Sequence, residues 1–375
     1  MLEAEMTRVR DDDACPGALQ MHQAADGALA RIRLPGGMIT ADQLLALAEA
    51  ATRFGSQAME LTSRGNVQIR GITNPEALAD AVANAGLLPS PSHERVRNIV
   101  ASPLTGRSGG NADVRNLVRD LDAAIQASPA LVRLPGRFWF GIDDGRGDVS
   151  GSGVDIGAHM LDAERAALLV AGVDTGVRLP SADVVATLVA VAEAFVDVRG
   201  SAWRTTELAD TEPLVAGLTR SAEPGTTWSP VLQPPVGWIE QDDRRVALGA
   251  AVPLGVLEAR TAEFLAAIEA PLVITPWRSV LVCDLDEGVA DVALRVLAPL
   301  GLVFDADSPW LSVSACTGSP GCAQSVADTH ADAAAAVGTP SDVHRHFVGC
   351  ERACGSPLVG EILVATEDGY VPRHP

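Results

Sequence analysis

The alternation of apolar and polar positions near the start of the chain predicts strands over Ala18 to His22, Ala28 to Leu34, Met59 to Leu61 and Val67 to Arg70, with a turn at Gly36-Gly37. Helical spacing of apolar residues predicts helices over Ala41 to Phe54 and Pro75 to Ala85. Together these make an α+β module with an antiparallel sheet. The same order returns in Val236-Gly-Trp-Ile, Arg245-Val-Ala-Leu-Gly, Val252-Pro-Leu-Gly, a helix over Glu258 to Ala267, and the apolar pattern that opens at Leu272. Leu61-Thr-Ser-Arg-Gly-Asn-Val-Gln-Ile-Arg then lines up with Ile274-Thr-Pro-Trp-Arg-Ser-Val-Leu-Val, so the chain reads as a duplication.

The predicted fold class is therefore α+β, internally duplicated and pseudo-twofold. A disordered leader over 1–14 precedes a ferredoxin-like half module at 15–88 and a larger α/β domain at 89–220. Turn-rich Glu223-Pro-Gly and Gln233-Pro-Pro mark a linker at 221–235, before a second half module at 236–300 and a second α/β domain at 301–375. A chain of 375 residues is too long for one simple core. Its net charge of −20 argues against nucleic-acid binding. The longest apolar run, Val184 to Val196, is broken by Glu193 and too short for a bilayer, and no secretory leader is recognised, so a cytoplasmic protein is expected. Lysine is absent, which excludes Schiff-base chemistry and a Walker-type phosphate loop and leaves any anion site to guanidinium groups.

Candidate chemistry concentrates near the C-terminus. Cys316-Thr-Gly-Ser-Pro-Gly-Cys322 and Cys350-Glu-Arg-Ala-Cys354 hold four of the six cysteines in two close pairs. Zinc sites usually pair cysteines two residues apart, and disulfides belong to oxidising compartments. An iron–sulfur cluster suits the pattern better, because Gly318, Pro320, Gly321 and Gly355 permit tight turns that offer N–H groups to sulfur. The run from Ala323 to Val337 is expected to be a helix ending at Gly338 with Pro340 beyond it, placing Cys322 at its N-terminus. Cys15 and Cys283 have no cysteine nearby and read as structural.

The two pairs, C-x(5)-C and C-x(3)-C, resemble the 4Fe–4S site of the sulfite and nitrite reductase superfamily. The resemblance covers nearly the whole chain. It implies that Cys316, Cys322, Cys350 and Cys354 hold a cluster, with Cys354 bridging to a sirohaem iron if that group binds. Thr62-Ser-Arg64-Gly-Asn-Val-Gln68, Val96-Arg97-Asn98 and Leu134-Pro-Gly-Arg137-Phe138-Trp139 resemble the family's basic motifs around the sirohaem carboxylates and bound anion. Trp139 stands where the reductases carry a second lysine, and Arg352 where they usually carry Asn. Both departures look instead like the precorrin-3B synthases, a branch of the same superfamily. That resemblance implies a monooxygenase that uses O2 to hydroxylate precorrin-3A at C20 with γ-lactone formation. It further implies NADH as ultimate reductant and a mononuclear non-haem iron beside the cluster, with sirohaem the less favoured occupant. The substrate's carboxylates would be held by Arg64, Arg97, Arg137 and Arg352. His344 and His346 share one face of a predicted strand, without an identified carboxylate to complete an iron triad. No Gly-x-Gly-x-x-Gly follows a strand, so NADH is assigned to a separate reductase or to a ferredoxin. The catalytic acid or base is not assigned. A sirohaem-dependent sulfite or nitrite reductase is the alternative, and a zinc-stabilised or tetrapyrrole-carrying protein the third reading.

Overall fold

The computed structural model describes residues 15–339 and 341–373; the expected leader at 1–14 and Pro340 lie outside them. In the first half, strands His22–Ala24, Gly27–Ile32, Val67–Ile72 and Ala58–Leu61 lie side by side, backed by helices Ala41–Phe54 and Pro75–Asn84. The first helix starts where a capping box dictates: Thr40 Oγ1 accepts from Gln43 N at 3.2 Å and Gln43 Oε1 accepts from Thr40 N at 3.1 Å. In the second half, Gly237–Glu240, Val246–Ala251, Ser279–Leu285 and Leu272–Ile274 form the equivalent sheet, backed by helices Ala259–Ala266 and Glu287–Leu297. One apolar core, running from Ala30, Leu44 and Ile69 to Leu248, Leu265 and Val282, is shared by both halves.

Each sheet is completed by a strand from the other half. Met38–Ile39 pairs with Leu272–Ile274, and Val256–Glu258 pairs with Ala58–Leu61, both antiparallel. The duplication extends to single residues. Thr62 N donates to Asn66 O at 2.9 Å and Thr275 N to Ser279 O at 2.9 Å. The bulges carry positive φ at Gly71 (61°) and Asp284 (62°), and the crossover turns do so at Gly36 (65°) and Leu254 (54°). Gly37 is obligatory: a Cβ there would lie 1.9 Å from the Ile274 carbonyl oxygen, while one on Gly255 would sit 3.3 Å from that of Leu61.

The first half leads into a five-stranded sheet in which Ile99–Ala101, Phe140–Asp143 and Ile156–Met160 run parallel and Arg165–Val170 and Val173–Pro180 follow antiparallel. Helices Arg115–Ala127 and Val184–Val198 cover one face around Phe138, Phe140 and Phe195. The C-terminal sheet repeats the first four of these strands in smaller form. Val313–Ala315, Arg345–Val348 and Glu361–Thr366 are parallel and Gly369–Pro372 is antiparallel, with one helix, Thr329–Ala336. The 221–235 segment is tied down: Thr226 O accepts from Asp174 N at 2.9 Å, Trp228 stacks on His159 with ring centroids 4.4 Å apart, and Val231 O accepts from Trp277 Nε1 at 2.7 Å.

Two sequence expectations are corrected. Residues 18–20 are not a strand, because Glu94 accepts from the amides of Ala18, Leu19 and Gln20 at 2.7, 2.7 and 2.8 Å and bends them around its carboxylate. The helix expected from Ala323 starts at Thr329, where Asp328 caps it by accepting from Ala331 N at 3.0 Å. Residues 323–328 are held as a loop by Val326 N to Gly349 O (3.1 Å) and Ser319 N to Ala327 O (2.8 Å), so Cys322 is not at a helix N-terminus.

Candidate metal centre and guanidinium site

Cys316 directly follows strand Val313–Ala315 and Cys350 comes two residues after Arg345–Val348. These strands are parallel neighbours, so both cysteine loops spring from the carboxyl ends of a parallel pair, where α/β sheets open onto ligands. Gly349 N donates to Cys316 Sγ at 3.3 Å. Gly318 lies at φ 67°, and a Cβ there would meet Thr329 Oγ1 at 2.3 Å. His346 is fully buried, and burial pulls its pKa down to about 4. The neutral ring donates Nε2–H to Cys354 O at 3.0 Å and takes the Ser314 hydroxyl at Nδ1 (2.7 Å), bracing the second cysteine loop.

All four thiols are free, with Cys354 exposed and the other three half-buried. They gather: the Cys354 pKa is raised by burial first and then by the proximity of Cys316, Cys350 and Cys322. They do not close around a point. Among the described residues, the one group of three or more potential ligand atoms lying mutually within 4.8 Å is Asp143, Asp144 and Asp148. A tetrahedral zinc would hold its thiolates roughly 3.8 Å apart. Four convergent thiols spread wider than that, with an amide aimed at one sulfur, fit the larger inorganic core of a 4Fe–4S cluster.

The mononuclear iron finds no such fit. His346 has both ring nitrogens engaged, and His344 turns one to the Ser314 hydroxyl (2.7 Å) and the other to Leu311 O (3.2 Å). The three aspartates occupy the place in the first α/β domain that the cysteine loops occupy in the last: Asp144 N donates to Ser102 Oγ at 3.1 Å as Gly349 N does to Cys316 Sγ. Asp143 there accepts from the amides of Gly145, Gly147, Val149 and Ser150, and Asp144 is gripped by Arg146, so these carboxylates are spent on the fold.

Of the four arginines read from the sequence, Arg64 and Arg137 come together. Arg64 reaches Gly136 O at 3.4 Å and lies over the Trp139 ring at 5.4 Å, while Arg137 stacks on Trp203 at 4.9 Å. Arg204, which the sequence reading missed, covers Trp139 at 5.6 Å and is oriented by Asp155 at 2.6 Å. Burial, eased by Cys15 and reinforced by neighbouring Arg204 and Arg31, pulls the Arg64 pKa down to about 10. Trp139 is buried and its Nε1 has no hydrogen-bond partner. Arg352 sits on the second cysteine loop, near enough to Cys354 to favour its thiolate. Arg97 turns its fork to Asp122: its Nε and Nη2 grip that carboxylate at 2.6 and 2.8 Å, and the side chain is only 6% exposed.

Arg31 and Arg33 were also missed, although strand alternation, with Ala28, Ala30 and Ile32 in the core, places them on the opposite face. They surround Cys15: Arg31 Nη1 lies 3.0 Å and Arg33 Nη2 3.4 Å from its sulfur. Arg278 Nη2 donates to Gly355 O at 3.1 Å, and its pKa is lowered by burial against the pull of Glu60 and Cys316.

Residues 22–84 match the nitrite/sulfite reductase ferredoxin-like half domain. A precorrin-3B synthase of Sinorhizobium sp is 28% identical over 379 aligned residues, covering 95% of this chain and 81% of that protein. The ferredoxin–nitrite reductase of Synechococcus elongatus is 35% identical over 127 residues, 32% of this chain and 25% of that enzyme. The NirA protein of Mycobacterium tuberculosis superposes with a TM-score of 0.78 at 20% identity, over 92% of this chain and 73% of that one. No helix among the described residues is long and apolar enough to cross a membrane.

Proposed function

We propose that the chain is a member of the nitrite and sulfite reductase superfamily and an oxidoreductase of the precorrin-3B synthase type. It would hydroxylate precorrin-3A at C20 with O2 and close a γ-lactone. The observation that carries this reading is Trp139. Where the reductases place a second lysine, this chain has an indole walled between Arg64 and Arg204. An indole cannot hand protons to a small oxyanion undergoing many-electron reduction, but its flat face and the flanking guanidiniums suit a carboxylate-fringed macrocycle.

In this reading Arg64, Arg137 and Arg204 bind and orient substrate carboxylates through paired N–H donors, and Arg352 adds a charge on the cysteine loop. Cys316, Cys322, Cys350 and Cys354 would hold a 4Fe–4S cluster, whose chemistry is the delivery of electrons one at a time. His346 keeps Cys354 oriented. His344 and His346 are both turned to protein partners, so no step is assigned to a mononuclear iron. Electrons would come from a separate ferredoxin or NADH-linked reductase, as the ferredoxin dependence in the name of the Synechococcus relative suggests.

Anaerobic reconstitution with iron and sulfide, followed by precorrin-3A turnover under labelled O2, tests the proposal. One oxygen-18 atom in the C20 hydroxyl supports it. Sharp sirohaem bands from the purified protein, with sulfite or nitrite reduction and no change to precorrin-3A, would establish the reductase alternative.

A further inference from the structure

The two half-module sheets share a ladder but differ on their outward faces. In the first half, Arg31, Gln68 and Glu60 stand opposite one another on three neighbouring strands. Gln68 Oε1 accepts from Arg31 Nε at 2.8 Å, and Gln68 Nε2 donates to Glu60 Oε2 at 2.9 Å. The matching register in the second half holds Gly249, Leu281 and Val273, the last two packed with Leu104.

Arg70 ends the polar row. Its Nε and Nη2 grip Asp26 at 3.0 Å each, Nε lies 3.6 Å from Glu60 Oε1, and Nη2 also donates to the carbonyl of Gly321 at 2.7 Å. Gly321 immediately precedes Cys322. The Arg70 side chain is 10% exposed, and its duplicate position is Cys283, fully buried among apolar residues. The ladder therefore does not require a charge there. Burying a guanidinium costs several kcal/mol of desolvation unless it is well paired; Asp26 and Glu60 supply that pairing from the far side, and Nη2 still turns an N–H to one cysteine loop.

We propose that Arg70 is a positioning residue for the cysteine centre. Its fork, aimed by Asp26, locks the Cys316–Cys322 loop onto the first half. Its charge, held where water does not screen it, favours the form of the centre that has accepted one electron from an external donor. The second part rests on the reading of the four cysteines as cluster ligands.

Three variants of the full chain, Arg70→Met, Arg70→Lys and Asp26→Asn, separate the two parts. In metal-free reduced protein, modification by a maleimide, resolved by peptide mass spectrometry, reads the lock. Cys322 is expected to react several-fold faster in Arg70→Met and Arg70→Lys, because neither side chain offers the fork, while Cys350 keeps its parental rate. Parental reactivity of Cys322 in both variants would overturn the lock. In reconstituted protein, redox titration with dithionite reads the charge. Arg70→Met is expected to shift the reduction equilibrium at least tenfold toward the oxidised form, 59 mV for one electron. Arg70→Lys stays near the parent, and Asp26→Asn shifts in the opposite direction to Arg70→Met. Equal potentials for the Met and Lys variants would overturn the electrostatic part. A parent that takes up no iron would instead sink the cluster reading, leaving the maleimide result to stand alone.

Discussion

Replacing three glycines by alanine, one at a time, measures how tightly the two halves are joined. Gly37, Gly255 and Gly86 all have positive φ (69°, 74° and 72°), so each pays the same backbone penalty of about 1–2 kcal/mol for a Cβ in the left-handed region. What lies around them differs. A Cβ on Gly86 meets nothing within 4 Å, so Gly86→Ala costs about that penalty alone. On Gly255 it meets Arg278 Cδ at 2.8 Å, Arg278 Cβ at 3.2 Å and the Leu61 carbonyl oxygen at 3.3 Å, where a shift of a few tenths of an ångström relieves the contact, adding about 1 kcal/mol of overpacking. On Gly37 it lands 1.9 Å from the Ile274 carbonyl oxygen, in the strand that pairs with Met38–Ile39. Backbone must then move and the exchanged pair must loosen, adding about 1–3 kcal/mol of overpacking to a total of roughly 2–5 kcal/mol. Urea unfolding of the three variants, followed by circular dichroism, gives the order Gly37 > Gly255 ≥ Gly86. Equal midpoints for Gly37→Ala and Gly86→Ala would refute the claim that the crossover packing, rather than glycine conformation alone, dictates residue 37.

Arg97→Ala acts on stability, by about 1–3 kcal/mol in urea, because it leaves the half-buried Asp122 with Gln126 Nε2 in place of a guanidinium; Arg64→Ala leaves the unfolding midpoint nearly unchanged and weakens precorrin-3A binding by about 1.5–3 kcal/mol in a fluorescence titration. Cys316→Ser, reconstituted in parallel with the parent, gives folded protein by circular dichroism with most of the iron and the broad brown absorbance lost. Burial raises the Asp148 pKa to about 7, so the folded state holds a proton that the unfolded state releases near pH 4. Its contribution is full below about pH 4 and is lost as pH rises through about 7, and Asp148→Asn flattens that fall in stability, measured by thermal melts across the range.

The parts of the molecule legible in sequence are those whose cause is local. Helix Ala41–Phe54 forms over the predicted residues because its cap and apolar stripe lie within its own segment. The cysteine pairs announce themselves by spacing within two short loops. The pairing of Arg97 with Asp122 was not legible, because Asp122 comes from a helix whose docking no local pattern reveals. The stretch after Cys322 was read as helix because alanines have high helical propensity, whereas Val326 and Ala327 are claimed by backbone partners at 349 and 319. Arg31 and Arg70 were visible as polar positions in otherwise apolar strands, but only the assembled structure shows which loop faces them.

The exchange of Met38–Ile39 for Val256–Glu258 means that neither sheet is finished by its own half. That is the construction of an intertwined homodimer whose two copies have been joined end to end. In such a dimer any change to one outward face is made on both. A single continuous polypeptide carries no such requirement, and the greasy face around Leu281 and Cys283 beside the charged one around Gln68 and Arg70 is the asymmetry it is free to encode.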